Sequence, residues 1–118
     1  MPNPYGAPEV SVHDVRSKQE AGDSFIWLDV REEEEYDVSI DDDRVLYLPL
    51  STLAAQQLDA IPKELADKAQ EVIVFCHHGM RSAQVTAWMA QNGWINVYNM
   101  DGGIDAWAQE VDPSVGTY

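Results

Sequence analysis

In the run Cys76-His77-His78-Gly79-Met80-Arg81-Ser82, the chain's only cysteine is followed at once by two imidazoles, a glycine, a guanidinium and a hydroxyl. A thiol attacks electrophiles as its thiolate, and both an adjacent arginine and a helix N-terminus favour that ionised form. A tight loop here would aim the backbone N–H groups of His77 to Ser82 at one small volume, where they could hold an anionic substrate or a charged sulfur on Cys76. Arg81 would add charge and Ser82 a hydroxyl. His77 and His78 fit two roles equally well, as carriers of positive charge beside a leaving anion or as plain solvent-facing loop residues. The chemistry suggested is covalent catalysis by a nucleophilic cysteine. A lone cysteine is ordinarily an inert core residue; what argues otherwise is its setting.

That setting is a strand, a loop and a helix in succession. Val72 to Phe75 is a short apolar run, β-branched at three of its four positions, which suits a strand covered on both faces. From Ser82 onward Ala83, Val85, Ala87, Trp88 and Ala90 recur at helical spacing, and Gly93 stands where a left-handed C-terminal cap belongs. Gly79 is the residue of the intervening loop that takes positive φ without strain. A second buried strand, Ser24 to Val30, carries Asp29 toward the end where open α/β sheets place ligands. Asp29 and Arg31 could touch substrate or brace the neighbouring loop. The brace is favoured, because a carboxylate against a thiolate would oppose its ionisation.

Elsewhere the chain alternates strand and helix, the pattern of a layered α/β domain. Val10 to Val12 reads as a first strand and His13 to Ala21 as a helix stopped by Gly22, with His13 on the surface or at a cap. Val45 to Leu48 is a third strand; Ser51 is placed to cap a helix, and Pro62 to open another through Ala66. Asn96 to Asn99 forms the last strand, and Gly102-Gly103 turns into a helix from Ile104 to Glu110. The tryptophans at 27, 88, 94 and 107 read as core. The glutamates at 32 to 35 read as a solvated face. Asp41 to Asp43 lacks the spaced ligands of a calcium loop, so no metal is expected. Residues 1–8 should be an extended arm, 9–110 the folded domain and 111–118 an extended tail.

Cys76 to Ser82 resembles the active-site loop of the rhodanese family of sulfurtransferases. Leu28-Asp29-Val30-Arg31-Glu32, ahead of Glu35-Tyr36, is similar to that family's Asp-Val-Arg segment, and Asn96 to Trp107, with Gly102-Gly103, to its closing segment. Three matches in the right order make the resemblance specific. Where family members commonly continue with a Gly-His-Ile-Pro-Gly passage, this chain has Val38-Ser39-Ile40-Asp41-Asp42-Asp43-Arg44, which leaves the shape of that rim open. The resemblance implies a single three-layer domain whose central, mainly parallel five-stranded sheet is flanked by helices. It also implies a Cys76 persulfide intermediate without further cofactor, loaded by a donor such as thiosulfate and discharged to a thiol or cyanide.

Composition narrows the partners. With 118 residues, the chain fits one domain. Seven Lys and Arg against 21 Asp and Glu give a formal charge of −14, which repels phosphate backbones and anionic lipid and suits a basic protein partner, either donor or acceptor of sulfur. Neither a membrane span nor a leader is visible, and a lone reactive thiol suits a reducing compartment, so a cytoplasmic protein is expected. Two rivals stand beside the enzyme. One is a sulfur-carrier or binding module serving a partner protein. The other is a cysteine phosphatase or arsenate reductase, whose loops place five residues between Cys and Arg where four separate Cys76 from Arg81.

Overall fold

The computed structural model describes residues 3–118. Its strands are β1 (Glu9–Val10), β2 (Ile26–Asp29), β3 (Val45–Tyr47), β4 (Val72–Phe75) and β5 (Val97–Met100). The helices are α1 (Val12–Glu20), α2 (Leu50–Gln56), α3 (Met80–Gln91) and α4 (Gly103–Glu110), with short 3-10 turns at Glu33–Glu35, Gln57–Ala60, Lys63–Leu65 and Pro113–Val115. The strands form one sheet in the order β1-β5-β4-β2-β3. Every neighbouring pair is parallel, so the expected five-stranded sheet is present and entirely parallel.

Side-chain alternation along the central strands sorts the core into two layers. Leu28, Val72 and Val74 face Leu53 of α2 and Val85 and Met89 of α3. Trp27, Ile73 and Phe75 face the other way, onto Val12 and Val15 of α1 and Ile104 and Trp107 of α4. Burial on both faces is why β4 carries no polar residue. On the second face Trp27 packs edge-on against Phe25, Phe75 and Trp107, with ring centroids 5.7, 5.9 and 4.9 Å away. Among the described residues no helix is long and apolar enough to cross a membrane.

Several boundaries differ from expectation, each for a local reason. The Ser11 hydroxyl accepts from the Asp14 N–H, which starts α1 at Val12 and shortens the first strand to two residues. Pro49, not Ser51, stands at the N-cap of α2; the Ser51 hydroxyl donates instead to the Glu32 carboxylate. After Pro62 only a single 3-10 turn forms. Residues 1 and 2 of the arm lie outside the described residues; Asn3 ties a turn to Ala7, and Ala7 is buried beside Ala83 and Ala87. The last residues are not simply extended: Asp112 caps a 3-10 turn, and the chain continues to Tyr118 beside the loop that follows β4.

Candidate active site

The all-apolar β4 delivers Cys76 to the C-terminal edge of the sheet, and α3 starts four residues later. Gly79, at φ +101°, makes the turn between them, where any side chain would strain the backbone and approach Gly102. The turn folds back so that the Gly79 N–H lies 3.1 Å from Cys76 Sγ, the Ser82 N–H 3.4 Å and Ser82 Oγ 3.3 Å. Two amides, one hydroxyl and the positive end of α3 therefore converge on the sulfur. Of the N–H groups from His77 to Ser82, those of Gly79 and Ser82 are the ones that meet it. Cys76 is 1% exposed, so any reactant must reach down into the loop.

The loop is also held from behind. The carbonyls of Cys76 and His77 accept from the N–H groups of Ile104 (2.9 Å) and Asp105 (3.0 Å) in the first turn of α4. This fixes the peptide planes on the side away from the sulfur. Asn99 of β5 adds a second tie: its amide donates to Glu9 Oε2 (2.9 Å) and to the Gly79 carbonyl (3.1 Å), and its Oδ1 accepts from Ser82 Oγ (2.5 Å). Ser82 thus has one hydroxyl proton and two acceptors, Asn99 Oδ1 and the Cys76 sulfur.

On the charged side, Arg81 is not free. Its Nη1 and Nη2 donate to Glu35 Oε2 and Oε1 at 2.7 and 2.8 Å. The Glu35 carboxylate also accepts from the Glu32 N–H and the Tyr118 hydroxyl, at 2.8 Å each. The hydrogen bonds from Arg81 hold the Glu35 carboxyl down to about 2, against the opposing effect of its partial burial. The same pairing raises Arg81. The solvated-face expectation therefore holds for the exposed Glu33 and Glu34 and fails for Glu35, whose side chain is built into the site.

Asp29 and Arg31 are both fully buried. Arg31 donates from Nε and Nη2 to the two Asp29 oxygens (3.0 and 2.8 Å) and from Nη1 to the Glu35 carbonyl (2.9 Å) and the Tyr118 hydroxyl (3.1 Å). Their partners are the Glu33–Glu35 turn and Tyr118, an arrangement that braces the loop carrying Arg81's counter-charge. Met80 is turned outward, 52% exposed. His77 is stacked between His78 and Tyr118, with ring centroids 3.9 and 3.8 Å away. Burial, reinforced by His78, pushes the His77 imidazole down and favours its neutral form. His78 is exposed, 3.7 Å from an Asp105 carboxylate oxygen. Ligand atoms of His77, His78 and Asp105 lie within 4.8 Å of one another.

Glu35, Asn99, Glu9 and Tyr118 escaped sequence reasoning. A signal existed for the first: Glu32 and Glu35, three apart, form a reciprocal capping box around a 3-10 turn, which sets them apart from their exposed neighbours. Nothing local marks the other three.

A family model described as Rhodanese-like domain matches residues 11–110. The chain is 33% identical over 84 residues to a tRNA uridine(34) hydroxylase of Erwinia tasmaniensis, covering 71% of this chain and 24% of that protein. It is likewise 33% identical over 114 residues to the chloroplastic Rhodanese-like/PpiC domain-containing protein 12 of Arabidopsis thaliana, covering 93% of this chain and 37% of that one. The chain thus spans 24% and 37% of the length of these two curated relatives. Among solved structures, the human single-domain sulfurtransferase superposes with a TM-score of 0.70 at 28% identity, covering 89% of this chain and 98% of that one.

Proposed function

The chain belongs to the rhodanese-like domain family, and from that premise we propose that it is a sulfurtransferase working through a Cys76 persulfide. The observation that carries the reading is the convergence of the Gly79 and Ser82 N–H groups on Cys76 Sγ, with the Ser82 hydroxyl oxygen 3.3 Å away. The Cys76 thiolate attacks the sulfane sulfur of a donor such as thiosulfate. A new S–S bond forms, the donor's own S–S bond breaks, and its electron pair leaves with sulfite. Cys76 then carries a persulfide, and the amides that meet Sγ would stabilise the thiolate that attacks and the thiolate that is released when the outer sulfur moves on. A second nucleophile, a thiolate or cyanide, attacks the outer sulfur; the bond to Cys76 breaks, and the thiolate returns with its electron pair. No proton has to move in the sulfur-to-sulfur steps, which agrees with a site whose nearest imidazole is held toward its neutral form.

Intact-mass measurement after incubation with thiosulfate, and again after cyanide, tests this. The expected result is one added sulfur atom that cyanide removes, and none in the Cys76→Ser variant. Failure of thiosulfate, thiosulfonates and a protein persulfide alike to load Cys76 overturns the reading. Sulfur that loads and passes to a partner protein but hardly to cyanide would move the assignment to a dedicated carrier.

A further inference from the structure

Among the described residues, both arginines at the loop are paired with carboxylates, and its exposed histidine lies near a third. Arg81 is bidentate to Glu35, Arg31 is bidentate to Asp29, and His78 lies 3.7 Å from Asp105. His77 between them is pushed toward its neutral form by burial. The loop therefore offers amide and hydroxyl dipoles, enough for the single charge of a thiolate or persulfide. It offers no net positive charge for a second one, in a chain of formal charge −14. Of these carboxylates Glu35 neutralises Arg81, the arginine of the Cys76–Ser82 run itself, and it is locked in place by four donors: two from Arg81, the Glu32 N–H and the Tyr118 hydroxyl.

We propose that Glu35 is a specificity-determining residue: by cancelling Arg81 it selects sulfane-sulfur donors carrying one negative charge or none over doubly charged ones. This rests on the sulfur-transfer reading for its substrate class, though not for the charge discrimination itself. Thiosulfate, a dianion that leaves as sulfite, is then the disfavoured form of donor. A monoanionic thiosulfonate, which delivers the same sulfane sulfur and leaves as a sulfinate, is the favoured one.

The test compares wild type with Glu35→Gln and Glu35→Asp on two pairs of reagents that differ in charge. Thiosulfate and methanethiosulfonate report on sulfur transfer. Iodoacetate and iodoacetamide report on Cys76 alkylation, read by intact mass, which needs no sulfurtransferase activity. Removing one charge beside the loop should raise the thiosulfate to methanethiosulfonate ratio of kcat/KM about tenfold in Glu35→Gln, and the iodoacetate to iodoacetamide rate ratio by a similar factor, with Glu35→Asp staying near wild type. Added salt should raise the iodoacetate ratio of the wild type, a result that needs no variant to fold. Ratios unchanged within about twofold, or equal losses on both donors, overturn the proposal and leave Glu35 a structural brace. A shifted alkylation ratio on a Cys76 that accepts sulfur from no donor upholds the charge selection while refuting the sulfur-transfer reading.

Discussion

Gly103→Ala should be the most damaging single-methyl change in the chain. At φ +63° an alanine would be strained, and its Cβ would fall on the carbonyl oxygens of Cys76 and His77, 2.5 Å from the latter and 2.7 Å from the His77 carbonyl carbon. Those are backbone atoms of the loop that holds Cys76, so they cannot swing aside as a side-chain tip could. Relief requires α4 and the loop to part, which breaks the Ile104–Cys76 and Asp105–His77 hydrogen bonds. The left-handed conformation costs about 1 kcal/mol for a non-glycine residue. Two hydrogen bonds at about 1 kcal/mol each, plus the displaced packing, bring the total to roughly 3–5 kcal/mol. Gly22→Ala is the control, because its φ is +76° and nothing lies within 4 Å of the added methyl; it should cost only the conformational part, about 1 kcal/mol. Urea denaturation of both variants isolates the clash as the difference, expected at about 2–4 kcal/mol. Gly103→Ala should also load sulfur on Cys76 more slowly even where it remains folded. A difference under about 1 kcal/mol between the two variants, with normal sulfur loading in Gly103→Ala, refutes the idea that α4 fixes the loop.

Asn99→Ala should cost about 2–3 kcal/mol in urea denaturation, since it leaves the buried Gly79 carbonyl without its side-chain donor; persulfide loading should slow with it. Asp29→Asn should cost on the order of 3 kcal/mol, because Arg31 stays buried and charged with its counter-charge removed. For acid stability the sign follows from Glu35 being held below its ordinary 4.5, at about 2. Its contribution, on the order of 3 kcal/mol, is complete above pH 4.5 and is lost as pH falls from there through about 2. The stability gap between wild type and Glu35→Gln should accordingly be flat at neutral pH and close across that window; a gap that persists at pH 2 refutes it.

What was legible in the sequence is what local pattern determines. The all-apolar Val72 to Phe75, the glycine at position 79 and the helical spacing from Ala83 to Ala90 each follow from near neighbours, and together they place Cys76 at its turn. The partners of the loop were not legible, because they arrive across the fold. Arg81 and Glu35 are 46 positions apart, Tyr118 and Glu35 83, and Asn99 and Glu9 90. No periodicity links such pairs. Glu35 was further disguised by sitting among glutamates that do face solvent, and Ser51 misled because a hydroxyl suited to a helix cap was drawn to Glu32 instead. Asp29 and Arg31 could be read as a pair from their spacing, although that they reach Tyr118 could not.

The clamp that α4 places on the carbonyls of Cys76 and His77 also orders events in time. During synthesis β4, Cys76 and α3 precede β5 and α4, so a chain that has just made Cys76 still lacks the Asn99 tie and the two N–H groups that fix the loop. Until residues 97–110 dock, the Gly79 and Ser82 N–H groups that meet the sulfur sit on a turn whose carbonyls at Cys76, His77 and Gly79 lack the partners that α4 and Asn99 supply. The setting of Cys76 is thereby completed only when the last strand and helix are in place, and a stalled or truncated chain ending before β5 carries the cysteine on a loop without those ties.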